Sequence, residues 1–255
     1  MRFIRLLIEY NGAGYHGWQS QKADRTLQET IRTAIGSITG EDIRLTGASR
    51  TDAGVHALGQ VAVFPTGSAL TADTFRRALN AKLPPDIRIR SVVETDGQFH
   101  PRFDAIRKSY LYLISTDRVR SPFLYPYLWY VMADLDTVSM REAAATLLGE
   151  RDFSAFRGSG CGAKTTNRTV LSLDIAELDE ISFMTSSLRG RFLRVRIEAN
   201  AFLRHMVRNI VGTLVEVGTG KTSADAFSRI LESCDRTKAG PTAPPQGLFL
   251  EEIIY

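Results

Sequence analysis

The stretch Leu45–Phe64, LTGASRTDAGVHALGQVAVF, decides how the first half of the chain is read. Its apolar start, Ile43 to Gly47, has the composition of a strand, and its alternating end, Gln60 to Phe64, of the next strand. Gly47 to Gly59 must then connect neighbouring strands. About a dozen residues do what two to five usually do. Gly47 and Gly54 permit sharp turns, and Arg50, Asp52 and His56 are able to hold charge or move protons. Asp52 and Gly54 are also ordinary turn residues, and Arg50 could be a solvated charge. Excess loop length at the end of a sheet is where function tends to sit. The residues alone leave both readings open.

Outward from that stretch, the pattern is regular. Phe3 to Tyr10 places Ile4, Leu6, Ile8 and Tyr10 on one face, as a half-buried strand does. Thr26 and Glu29 have capping-box spacing ahead of Leu27, Ile31, Ala34, Ile35 and Ile38, which recur at helical intervals. Thr71 opens a second helix with Phe75, Ala78 and Leu79 inward, stopped by Leu83-Pro84-Pro85, and Ile87 to Val93 reads as a fourth strand. The order β-α-β-β-α-β is that of a ferredoxin-like, RRM-like unit.

The remainder reads as a looser second unit of the same α+β plan. Tyr110 to Ser115, Leu128 to Met132, Val170 to Glu177, Phe192 to Glu198 and Leu248 to Ile254 are expected strands. Met140 to Leu148, closed by Gly149, Ala201 to Val217 and Ala224 to Leu231 are expected helices. Gly158 to Asn167 reads as a mobile loop with a basic tip, and Lys238 to Gly247 as irregular. The expected division is 1–105 and 106–255.

Composition narrows the function classes. The 255 residues suffice for one large domain or two small ones. Net charge is +4, and only six of the 32 cationic residues are lysine. Arginine forks phosphates and base edges bidentately, so the balance suits a nucleic-acid partner, although codon bias alone could produce it. Cys161 and Cys234 lack metal-ligand spacing, and no nucleotide-cofactor glycine motif occurs, so neither metal nor cofactor is expected. Two cysteines suit a reducing cytoplasm, and no apolar run is long enough for a membrane helix.

The motif GASRTDAGVHALGQVAVF resembles the catalytic motif of the tRNA pseudouridine synthase A family. IEYNGAGYHGWQSQ, LPPDIRI, FHPRFDAIRKSYLYLI, LLGERDFSAF, NAFLRHMVRNIVGTLVEVG and DRTKAGPTAPPQGLFLEEIIY resemble the family's other motifs, in order and over most of the chain. One departure is Ser49, where the family commonly has glycine. The resemblance implies two ferredoxin-like halves forming a mixed, largely antiparallel sheet, with helices on one side and an active-site cleft between the halves. It implies an isomerase that converts uridine to pseudouridine at positions 38, 39 and 40 of the tRNA anticodon arm, working as a cytoplasmic homodimer without cofactor or metal.

On that resemblance Asp52 is the catalytic carboxylate and Tyr110 the active-site tyrosine. Arg208 matches the family's ion-pair partner, and Arg50 engages RNA phosphate or the gap left by the displaced base. Tyr112 is expected in the core. His56 and His205 are expected to be structural hydrogen-bonders, and Phe202 and Met206 core residues of one helix. His16 and Trp18 follow the first strand, where RNA contact and packing are equal expectations. Arg25, Arg102, Arg107, Lys108, Lys164, Arg168 and Arg204 are candidate phosphate contacts. Two other classes compete. A non-catalytic RNA-binding module would tolerate loss of Asp52, and the RRM ribonucleoprotein signature is missing. A glycoside hydrolase would need a second carboxylate; Asp24, Asp104 and Asp152 are available, but nothing singles one out.

Overall fold

The computed structural model describes residues 1–21, 24–183 and 185–255. They form two compact units, Met1–Lys108 with Phe249–Tyr255, and Ser109–Leu248.

In the first unit, β1 (Arg2–Tyr10) buries the alternate residues Ile4, Leu6, Ile8 and Tyr10. Helix α1 (Leu27–Thr39) turns Leu27, Ile31, Ala34 and Ile35 inward. It ends at Gly40, whose φ of 75° closes the last turn. Then come β2 (Thr46–Gly47), β3 (His56–Thr66), α2 (Ala72–Lys82) and β4 (Ile87–Thr95). The Thr71 hydroxyl accepts a hydrogen bond from the Thr74 amide, which caps α2, and the helix stops at Leu83. The strands lie in the order β4-β1-β3-β2, every pair antiparallel, with Leu6 opposite Ala62 on one side and Val92 on the other. That is the ferredoxin-like arrangement.

The second unit contains β5 (Arg107–Ser115) from Ser109 onward, β6 (Trp129–Tyr130), α3 (Thr137–Ala145), β7 (Gly149–Asp152), β8 (Asn167–Phe183), β9 (Ser186–Ala199), α4 (Met206–Gly218) and α5 (Ala224–Glu232). Strand order is β5-β9-β8-β7, with the short β6 parallel to β5. Taking β5, α3, β8, β9 and α4, the first unit's β-α-β-β-α plan recurs, the last strand again lying between the first two. Asp136 caps α3 through the Val138 and Ser139 amides. Helix α4 is buried through Met206, Ile210, Val211 and Leu214, and Phe156 stacks on Phe227 at 5.6 Å. The closing strand β10 (Leu248–Ile254) runs parallel to β3, Phe249 facing His56, so β3 carries β10 at its start and β2 further along. The class is α+β with mostly antiparallel pairing, as the sequence indicates.

Several expectations need correction. The strand expected over Ile43–Gly47 is only Thr46–Gly47, while the strand expected over Gln60–Phe64 runs from His56. Tyr10 and Ile8 of β1 face Ala57 and Gln60, so the earlier residues find partners that their own pattern does not announce. The connection therefore has eight residues, Ala48–Val55. The capping box does not form. Thr26 makes no side-chain cap, its buried hydroxyl has no partner among the described residues, and Glu29 instead grips Arg32 at 2.7 Å.

Leu128–Met132 contracts to two residues, with Met132 exposed. The helix expected over Met140–Leu148 is Thr137–Ala145, because Asp136 starts it earlier. Helix α4 begins at Met206, since His205 takes a left-handed φ of 59°, and Phe202 precedes the helix. The strands expected at 170–177 and 192–198 extend into a long hairpin, paired from Val170↔Ala199 to Phe183↔Ser186. Its outer part packs Leu178, Ile181 and Leu188 against Leu124, Leu128, Tyr130 and Phe192, but the register shift between Leu178 and Glu180 breaks the alternation that would signal it. No described helix is long and apolar enough to cross a membrane.

Candidate active site

The Ala48–Val55 loop is short, and almost every peptide in it is fixed. At its start the Ala48 amide bonds to Val61 O at 2.8 Å. Buried Gln60 reads Ser49 on both sides: its Oε1 accepts from the Ser49 amide at 3.2 Å and its Nε2 donates to Ser49 O at 2.8 Å. These are main-chain bonds, so serine makes them as well as glycine would. Lys108 Nζ donates to Ala48 O at 2.5 Å.

In the middle, the buried hydroxyls of Tyr10 and Thr51 bond at 2.7 Å, and the Trp18 amide donates to Thr51 O at 3.0 Å. At the tip, the Val55 amide closes a turn onto Asp52 O, and the Gly54 amide reaches Tyr15 O at 3.3 Å. Asp52 is half-buried on this frame and Arg50 is exposed. The main chain from which the Asp52 carboxylate projects is thus held on both flanks, and a fixed point of attachment is one requirement of a positioned nucleophile or base.

The frame is supplied by the segment after β1, and its glycines explain the fit. A Cβ on Gly12 would lie 1.9 Å from Val55 O. Gly17 has φ of +88°, and a Cβ there would stand 2.7 Å from Thr51 O and 3.1 Å from the Ala53 amide. Only glycine permits both the conformation and the approach. Trp18 is buried and stacks on Tyr10 at 6.1 Å, so packing decides its role. His16 is exposed, 3.7 Å from Asp24. His56 is buried: its Nδ1 accepts from the Gly12 amide at 3.2 Å and its ring stacks on Phe249 at 4.7 Å, a structural use of the ring. Tyr10, Thr51, Gln60 and Lys108 escaped sequence reasoning as parts of this site. The density of glycine in Gly12–Gly17 was the available signal, since it marks a close approach of backbones.

Lys108 is a correction. It was expected on the surface among phosphate contacts, but it is 7% exposed. Burial, and secondarily Arg102, depress its pKa from the ordinary 10.5 to about 8. Of the other cations, Arg102, Arg107 and Lys164 are exposed. Arg25 stands 4.5 Å over the Tyr15 ring and 3.7 Å from Asp86. Arg168 bonds to Thr165 O at 3.2 Å, and Arg204 to Ser159 O at 3.0 Å. The candidate second carboxylates have local tasks: Asp104 accepts from the His100 amide and Asp152 from the Ser154 amide, both at 2.8 Å.

In the second unit, Tyr110 is 6% exposed and meets the Phe202 ring edge-on at 5.0 Å. Tyr112, two residues along, is fully buried and donates to Pro244 O at 2.7 Å; burial pushes its phenol well above the usual range. Arg208 sits half-buried in the first turn of α4, with Nε donating to Ala243 O at 2.7 Å and its own carbonyl accepting from the Ala243 amide. The segment before β10 is strapped along α4. Arg236 and Thr242 both donate to Oδ1 of buried Asn209, whose Nδ2 donates to Phe156 O. His205 is half-buried at the left-handed turn before α4. Asp52 and Arg50 thus belong to the first unit, Tyr110 and Arg208 to the second.

A family model described as tRNA pseudouridine synthase matches residues 6–104 and 143–255. Arg50, Asp52 and Arg208 lie within those residues, and Tyr110 lies outside them. Among curated proteins, the tRNA pseudouridine synthase A of Acetivibrio thermocellus is 48% identical over 255 residues, covering 100% of both chains. The protein of that name from Thermoanaerobacter sp. strain X514 is 46% identical, again over 100% of both. That of Geobacter sp. strain M21 is 44% identical, over 100% of this chain and 99% of its own.

Proposed function

The chain belongs to the tRNA pseudouridine synthase A family, and from that premise we propose that it isomerises uridine to pseudouridine at positions 38, 39 and 40 of the tRNA anticodon stem-loop. The reaction breaks the N1–C1′ bond, turns the uracil and joins C5 to C1′. The proton lost from C5 is balanced by one gained at N1, so no atom or electron enters or leaves. Asp52 is the nucleophile. The observation that carries this assignment is its placement: one carboxylate on an eight-residue loop whose flanking peptides are held by Tyr10, Trp18 and Tyr15.

The target nucleotide must leave its stack to reach such a group. The Tyr110 ring stacks on the flipped uracil, Arg50 meets the phosphate or fills the vacated stack, and Arg208 binds the substrate. Exposed arginines grip the RNA backbone. The working form is a cytoplasmic homodimer.

The test is pseudouridine formation in unmodified tRNA transcripts, mapped by position, for wild type and Asp52→Asn. Product confined to the anticodon arm in wild type, and none from a folded, tRNA-binding variant, is the expected result. Turnover by the variant would remove Asp52 from the chemistry. A folded wild type that binds tRNA without product would make the protein a binding module.

A further inference from the structure

We propose that Tyr10 is a positioning residue for the reaction, acting through Thr51 to fix the peptide from which Asp52 projects; the proposal rests on the role assigned to Asp52 above. Tyr10 is the last residue of β1, where the strand's register shifts after Ile8, and it faces Ala57 of β3. Its ring is anchored by stacking on Trp18 at 6.1 Å with 30° between planes. Its hydroxyl bonds to Thr51 Oγ1 at 2.7 Å, with both residues buried.

The same threonine is held a second time, by the Trp18 amide on its carbonyl at 3.0 Å. Thr51 is therefore fixed at side chain and main chain by two residues that also fix each other. Asp52 follows directly. On its far side, the Gly54 amide is tied to Tyr15 O, and Gly17 leaves 3.1 Å between a Cβ position and the carbonyl carbon of Asp52. The segment 10–18 is a template moulded to the loop, and the Tyr10–Thr51 bond is a buried side-chain link between them.

A hydroxyl-to-hydroxyl bond in this place does more than stabilise. Thr51 and Asp52 share a peptide, so a rotation at Thr51 swings the carboxylate. A displacement near 1 Å at a reacting group costs on the order of 100-fold in rate. The ring of Tyr10 packs, while its hydroxyl positions, and the two roles separate in Tyr10→Phe.

The experiment compares wild type, Tyr10→Phe, Thr51→Val, the double variant and Thr51→Ser in single-turnover pseudouridine formation with tRNA, alongside tRNA affinity and hydrogen exchange of the peptide spanning 48–55. The expected result is a 10- to 100-fold slower chemical step in each single variant, with tRNA affinity unchanged. The double variant should lose no more than the worse single one, and Thr51→Ser should recover most of the rate lost in Thr51→Val. Exchange in 48–55 should quicken in Tyr10→Phe.

A wild-type rate in Tyr10→Phe with only a lower melting temperature would overturn the proposal, as would additive losses in the double variant. The exchange readout does not depend on turnover. Faster exchange with an inactive wild type would refute the reading of Asp52 and leave the clamp standing; unchanged exchange with an active wild type would refute the clamp alone.

Discussion

Replacing Lys108 with methionine asks what a buried ammonium costs this fold. The side chain is 7% exposed, and its described bond is the one to Ala48 O. Burial holds its pKa at about 8 against an ordinary 10.5. At about 1.4 kcal/mol per pH unit, the charged form costs about 3 kcal/mol in the folded state. The unfolded chain takes up this proton below pH 10.5, the folded chain only below about pH 8. Between those values the unfolded state binds more protons, so stability rises with pH; below about 8 the penalty is present in full.

Methionine has nearly the same reach and no charge, and it loses a hydrogen bond worth about 1 kcal/mol. At pH 7 the variant should therefore match or exceed wild type. Wild type should gain on it by about 3 kcal/mol as pH rises toward 10.5. The assay is urea unfolding of both proteins at intervals from pH 7 to 10. The tyrosines with raised pKa values, Tyr15 at about 12 among them, take stability away only above about pH 10 and are common to both proteins. Parallel stability curves across that window would refute the argument.

Two further outcomes follow from the local geometry. Thr26→Val removes a buried hydroxyl that has no partner among the described residues, at the start of α1. It should leave the melting temperature unchanged or raise stability by about 1 kcal/mol, where an ordinary cap would lose that much; a clear drop would show a cap forming in solution. Gly12→Ala places a methyl 1.9 Å from Val55 O. It should cost about 1–3 kcal/mol by overpacking, measured by thermal unfolding, and a wild-type melting temperature would mean that the loop yields freely.

Much of the architecture is legible in one dimension, because it rests on periodicity. The alternation of Ile4, Leu6, Ile8 and Tyr10, the helical spacing from Leu27 to Ile35, and the stop at Leu83 each fix a local choice that the sheet order then respects. The closing strand Leu248–Ile254 has the bounds its pattern indicates. The Asp52 loop was marked by its motif, while the length expected of it, about a dozen residues, gave way to the eight of Ala48–Val55.

Tertiary structure decided what depends on partners distant in sequence. Strand β3 starts at His56 because β1 offers it partners there. Lys108, polar in any one-dimensional reading, is buried, and Ala48, sixty positions away, presents a carbonyl to it there. The rigidity of the Asp52 loop belongs to the same class. Its own residues prescribe a turn, but only the folded approach of Tyr10, Gly17 and Trp18 holds that turn in one conformation. Periodicity is a property of neighbours along the chain, whereas the satisfaction of a buried polar group is settled by whatever the fold brings beside it.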